Sequence, residues 1–346
     1  MKKQSRMNRQ YGWFLIVSIL ISIIIWAAYG LFAEEEPMET VHISVILEDD
    51  GNSRWTSFQQ GLEWAARAYQ VDLTVVPTAG FSETEEQWEL VEQKVEDGTD
   101  GILLNPYNAD GIRQKLSDIK GNVRILLVEN DISRNGDTIP SVSAVGPDYG
   151  DVGKALFDEI MEDYQKRAIK QDEQDFSETG QIDNLLQGKN VLLLTSNPGK
   201  SGAIQAGEKI KELMEEQNIG SWETAVLTSQ EDEIAAENRE ADIIIALDDV
   251  SLRIAAEIQA SSTGNQPDLY GIGSCSDNVY YLEQGMIRSM IVINYFKMGY
   301  ESVALLADTI RTNNGEPRRV DIGFQAVRPE EVHTPEIEKL LFPIVQ

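Results

Sequence analysis

Groups able to do covalent chemistry are scarce in this chain. It has one cysteine, Cys275, and two histidines, His42 and His333, that stand far apart. A single thiol allows no disulfide within the chain. Two remote imidazoles give no nucleophile–base pair and no histidine-based metal cluster. The other candidates are polar and aromatic groups at the ends of apolar runs. Val45, Ile46 and Leu47 form such a run, a polar stretch from Glu48 to Arg54 follows, and then Phe58, Leu62, Ala65, Ala66 and Tyr69 recur at helical spacing. This reads as a strand feeding a helix through a loop. In open α/β sheets ligands lie in the crevice beyond the carboxyl ends of the strands. Asn52, Arg54 and Trp55 fall at that place.

The same unit repeats along the chain. Apolar runs at Val71–Pro77, Gly101–Pro106, Val123–Glu129 and Ser141–Gly146 alternate with helical patterns, among them one opened by Ser82 and Glu85 as a capping box. The stretch from Gln165 to Gly188 is polar and charged without a sustained period, and reads as a surface insertion. The pattern restarts at Asn190–Thr195 and continues through Asp242–Leu247, Leu269–Gly273 and Arg288–Ile293 to a final strand at Val320–Val327 and a Pro-rich tail. Two sets of roughly five such units predict an α/β protein of two similar, doubly wound parallel-sheet lobes.

Charge divides the chain. The four basic residues Lys2, Lys3, Arg6 and Arg9 precede residue 33, and all 58 acidic residues follow it, for a net charge of -29. Such a balance argues against nucleic acid as a partner. From Gly12 to Ala33 there are no charges and few polar groups, a length sufficient to cross a bilayer as a helix. Basic residues before it and Glu34–Glu36 after it place the remainder outside the cytoplasm. The expected organisation is a basic cytoplasmic segment (1–11), a retained transmembrane anchor (12–33) and a tether (34–41). The rival reading is a signal peptide cleaved near Ala28-Tyr29-Gly30.

The frame resembles the type I periplasmic binding proteins, specifically the ribose-binding-like sugar receptors that share their fold with LacI-type ligand domains. The residues that carry the likeness are the strand–loop–aromatic–helix at Val45–Gly61, GILLNP at Gly101–Pro106 with Asn108-Ala109-Asp110 after it, and the helix opening at Gly199–Gly207. ALDD at Ala246–Asp249, YGIG at Tyr270–Gly273 and INYFKMGYESV at Ile293–Val303 complete the set. The resemblance implies two lobes that close like jaws, joined by crossovers near Pro147, Ile293 and Arg319. One lobe would be 41–147 plus 294–318, the other 148–293 plus 319–328, with 329–346 as a tail. It also implies ligand contacts at Asn52, Arg54, Trp55, Glu129, Asn130 and Asp248. At three further contact positions the family's arginine, aspartate and glutamine are replaced by Ala206, Gly273 and Ile293. A sugar needs a ring face for stacking and paired hydrogen-bonding groups for its hydroxyls. Trp55 is the expected face, and Asn52, Glu129, Asn130 and Asp248 the expected hydrogen-bonding groups.

Blander roles stand beside these. The rival role of Trp55 at a helix start is a core staple, that of Arg54 a solvated or gating residue, and that of Glu129 and Asp248 a helix cap. Ser196-Asn197-Pro198-Gly199-Lys200-Ser201 resembles the end of a P-loop, but Leu194 stands where the first glycine is required. The bland form of that motif is a helix N-terminus lining the cleft. The expectation is therefore a membrane-anchored solute receptor, without enzymatic activity, cofactor or metal. Its partners would be a small polar solute such as a sugar, and a membrane transporter or sensor histidine kinase. The alternative is a protein-interaction module of the same fold that has lost its ligand.

Overall fold

The computed structural model describes most of residues 40–343. It omits 49–52, 133–138, 172–184, 233–238, 263–265 and some shorter stretches, and before residue 40 it describes only residues 13, 17–24 and 26. Residues 17–24 are helical, and the unit ending at Thr40 is separate from the compact unit Val41–Gln346. Among the described residues no helix is long and apolar enough to cross a membrane. Most of the expected span 12–33, with the segments on either side of it, lies outside the described residues.

Strands and helices alternate: β1 (Val41–Ile46), α1 (Arg54–Tyr69), β2 (Val71–Val76), α2 (Thr84–Glu96), β3 (Gly101–Leu104), α3 (Ala109–Asp118), β4 (Arg124–Val128), β5 (Val142–Gly146) and α4 (Tyr149–Gln171). They continue as β6 (Asn190–Thr195), α5 (Ser201–Glu216), β7 (Ser221–Val226), β8 (Ile243–Ala246), α6 (Asp249–Ser261), β9 (Asp268–Ile272), α7 (Ser276–Glu283) and β10 (Ile287–Ile293). Then come α8 (Tyr295–Arg311), β11 (Arg319–Asp321), β12 (Phe324–Val327) and α9 (Pro335–Leu341). The strands form two six-stranded sheets in the orders β11-β5-β4-β3-β1-β2 and β12-β10-β9-β8-β6-β7. Every described pairing is parallel except that of β10 with β12. Helices cover both faces, so the central strands are buried on both sides. That is why β3 (GILL) and the core of β4 (ILLV) are apolar without alternation.

The chain crosses between sheets after β5, after β10 and between β11 and β12. The single final strand expected over Val320–Val327 is two strands. Arg319–Asp321 pairs with β5 in the first sheet, and Phe324–Val327 pairs antiparallel with β10 in the second. Ile322, 2% exposed, fills the gap at the switch, and Gly323 follows it with open space around its Cα. The last crossing therefore falls later than Arg319. The Pro-rich tail is also ordered. A 3₁₀ turn at Pro329–Glu331 precedes α9, which begins on Pro335, a position where a missing N–H costs nothing. Val332, Ile337 and Leu341 bury themselves in the second lobe's core. At α2 the expected capping box is not the start: the helix opens at Thr84, and Glu83 at its N-cap makes no side-chain capping bond.

Glycines set the helix crossings in both lobes. A Cβ on Gly61 of α1 would lie 2.1 Å from the Phe296 carbonyl oxygen of α8, and one on Gly299 would lie 2.2 Å from the Phe58 oxygen. The two backbones touch, and neither can retreat without separating the helices. In the second lobe Gly153 of α4 meets Ala206 of α5 in the same way, with a Cβ 2.6 Å from the Ala206 oxygen. Overpacking such a contact costs about 1–3 kcal/mol. Gly299→Ala is expected to lower stability by about that amount, read as a fall in the urea midpoint at an unchanged m-value.

Candidate functional site

The carboxyl ends of both sheets face a shared cavity of about 580 Å³. Loops after β1, β2, β3 and β4 line it from the first lobe, and loops after β6, β7 and β8 from the second. Phe81, Tyr107, Tyr149 and Tyr295 are the aromatic residues in the wall, and Asn108, Asn197 and Thr228 are among the neutral polar ones.

Glu129 follows β4 and holds a left-handed backbone, φ 65, a conformation that costs a non-glycine residue on the order of 1–3 kcal/mol. Its carboxylate is held on both oxygens. The Tyr295 hydroxyl donates to Oε1 at 2.7 Å, and Asn105 Nδ2 donates to Oε2 at 2.9 Å. Asn105 is fully buried, and Gln87 fixes the loop by donating to the Asn105 carbonyl and accepting from the Tyr107 N–H. Burial first, and then the Glu129 charge, push the Tyr149 and Tyr295 phenols far above their ordinary range. Both hydroxyls therefore stay protonated and act as donors.

Asp248 is the N-cap of α6. Its Oδ1 accepts from the Ser251 N–H and the Ser196 hydroxyl, each at 2.8 Å. Its Oδ2 accepts from the Ser196 N–H at 2.8 Å and the Thr195 hydroxyl at 3.0 Å. The residue lines the cavity, yet its carboxylate ties β6, β8 and α6 together. Beside it Asp249 is buried. Burial raises its pKa, against the pull of Arg54 at 3.8 Å and of the Ser274 and Cys275 N–H groups at 2.7 and 2.9 Å. Arg54 comes from the first lobe and Asp249 from the second.

Of the residues expected from sequence, Arg54, Glu129 and Asp248 line one hollow. Asn52 and Asn130 lie outside the described residues. Trp55 does not line the cavity. Its ring is 4% exposed and packs edge-on against Phe58 at 5.3 Å and Tyr295 at 6.0 Å, behind the wall. This is the staple geometry, reached because the second residue of α1 faces inward under the loop. Of the three replaced family contacts, Ala206 is sealed at the α4–α5 crossing, and Gly273 and Ile293 are buried. Cys275 is buried and its thiol is pushed up to about 12, chiefly by burial. Sequence reasoning did not name Glu48, Phe81, Tyr107 or Thr228 as lining residues, whereas the helix opening expected to line the cleft does so from Ser196 to Lys200. The signal for Tyr107 lay in the GILLNP segment itself, one residue beyond its end.

The cap at Asp248 yields a direct test. Asp248→Ala removes an acceptor from four donors and is expected to lower stability by about 1–2 kcal/mol, the range for a lost N-cap, measured by chemical denaturation. A change within error would show that the carboxylate is not structural.

Comparisons with known proteins agree with this architecture. No curated protein matches the chain at the sequence level. Solved structures do match. A carbohydrate transporter solute binding protein from Agrobacterium radiobacter, in complex with D-arabinose, aligns with TM-score 0.69 and 16% identity over 88% of this chain and 99% of that one. GanP, a glucose-galactose binding protein from Geobacillus stearothermophilus, aligns with TM-score 0.67 and 14% identity over 86% and 100%. A chain of the XylFII-LytSN complex aligns with TM-score 0.64 and 16% identity over 85% and 99%. At these identities the likeness is one of fold. The model of the periplasmic binding protein domain matches residues 43–314, most of the chain, and the chain belongs to that family.

Proposed function

We propose that the protein is an extracytoplasmic receptor that captures a small polar solute, a sugar, between its lobes and performs no chemistry on it. The observation that carries this reading is the cavity at the facing strand ends. Its volume of about 580 Å³ falls within the roughly 300–1,000 Å³ of small-molecule sites. The lining suits a polyol: Glu129 held open for hydroxyls, Asn108, Asn197 and Thr228 as neutral partners, and Phe81 or Tyr107 in place of Trp55 as the ring face. Asn52 and Asn130 complete the proposed set on the first lobe. The bound D-arabinose and tagatopyranose of structural neighbours support the ligand class.

Gly12–Ala33 would hold the domain at the membrane. The closed form would be read by a transporter or a sensor histidine kinase, since ligand can stabilise only the state in which it touches both lobes. The occurrence of a neighbour in the XylFII-LytSN complex supports a protein partner. A second reading keeps the fold and drops the ligand. It is favoured by the loss of polar groups at Ala206, Gly273 and Ile293, and it makes the protein an interaction module.

Isothermal titration against D-arabinose, D-xylose, D-galactose, D-glucose and D-fucose separates the two. Binding of at least one sugar is expected, weakened about tenfold or more in Glu129→Ala, as for a lost charged hydrogen bond. No heat with any sugar or polyol would favour the interaction module.

A further inference from the structure

The lobes are joined across the cleft by the chain's own polar groups. Lys200 is the N-cap residue of α5, on the second lobe. Its ammonium lies 2.6 Å from Glu48 Oε2, 3.0 Å from Asn105 Oδ1 and 3.2 Å from the Pro106 carbonyl oxygen. All three acceptors belong to the first lobe. An ammonium has three hydrogens and no lone pair, so each hydrogen has an acceptor on the opposite jaw. The side chains of Lys200 and Glu48 are 19% and 21% exposed, so solvent screens the pair only in part.

The backbone around Lys200 is shaped for this approach. The Ala109 N–H donates to the Gly199 carbonyl at 3.0 Å, another bond between lobes. A Cβ on Gly199 would lie 2.8 Å from Asn108 Nδ2, so a glycine lets the two loops come this close. Asn197 Oδ1 accepts from the Gly199 N–H at 2.8 Å and sets the turn that aims Lys200. On the first lobe, Asn105 ties the clasp to the binding wall, because its amide nitrogen holds Glu129 while its oxygen receives Lys200.

We propose that Lys200 is a positioning residue that clasps the jaws, closing the cleft in the absence of any ligand through Glu48, Asn105 and Pro106. Opening the cleft must break a charge-assisted contact between two partly desolvated groups. The clasp then sets the closed population of the empty protein. A solute entering the cavity works on a protein already biased toward closure, and its apparent affinity rises with that bias. Lys200 itself, with each hydrogen engaged on the first lobe, does not serve as the hook for an anionic solute while the jaws are shut.

The test needs no sugar, so its outcome is independent of whether the solute reading holds. Spin labels on Glu83→Cys and Glu231→Cys report the jaw distance. Both positions are exposed and sit close to cavity-lining residues, Phe81 on one lobe and Thr228 on the other. Cys275, buried and protonated, stays unlabelled in the native protein. Pulsed dipolar distances are measured on the ligand-free full-length chain in detergent. The labelled parent is expected to show one dominant short distance. Lys200→Met and, from the other lobe, Glu48→Gln are each expected to add a longer distance and shift the open-to-closed ratio by about tenfold, the effect of losing a hydrogen bond to a charged group. Glu48→Gln keeps the test intact should Lys200→Met fail to fold. Distance distributions in both variants equal to the parent's would overturn the clasp, as would a ligand-free parent found only in the open state.

Discussion

Parallel strands impose one constraint on everything else in this protein. In a parallel sheet every carboxyl end lies on the same edge, and so do the loops that follow. A chain that builds two such sheets and crosses between them at Pro147, Asn294 and Ile322-Gly323 brings two edges face to face. The hollow is a consequence of that topology before any side chain is chosen. What the side chains must then solve is electrostatic. Glu48, Glu129, Asp248 and Asp249 converge on a partly desolvated space, where an unpaired carboxylate is expensive.

Each of these carboxylates has a different solution. Asp248 is absorbed into the fold by four donors, and Asp249 by buried amides with Arg54 at the rim. Glu48 is met by Lys200 from the other lobe. Glu129 is the exception in kind. Its donors are neutral, the Tyr295 and Tyr149 hydroxyls and the Asn105 amide, and among the described partners no cation is in hydrogen-bonding contact with it. It also carries the left-handed backbone that an unconstrained glutamate would avoid.

Much of this architecture was legible in the sequence because buried parallel strands announce themselves as short apolar runs. β6 follows from hydrophobicity alone, whereas β3 ends at Leu104, before the expected Pro106, and β10 begins at Ile287, before the expected Arg288. The strands β11 and β12 were not separable, since Arg319–Val327 carries one continuous strand-like pattern and the switch of sheet depends on where Ile322 finds a cavity to fill. At the site, Arg54, Glu129 and Asp248 line the cavity because a residue just past an apolar strand has little choice but to stand at the edge. Trp55 packs behind the wall, because the orientation of a residue in the first turn of a helix depends on what packs beneath it, and that is Tyr295, 240 positions along the chain. The pairing of Glu48 with Lys200 was unreadable for the same reason: each is an ordinary loop charge until the other lobe arrives.

The three missing family contacts look different in this light. An arginine at position 206 is ruled out by packing, since Ala206 lies on Gly153 at a crossing where the backbone already touches. A side chain on Gly273 would drive into Asn278 and Leu252, with a Cβ 2.7 Å from Asn278 Nδ2. The second lobe has therefore given its strand-end positions to tight packing and to the Asp248 and Asp249 caps. The hold between the lobes is taken in part by Lys200. A solute that enters lobes already pulled toward closure has to supply only the remaining difference between the two states.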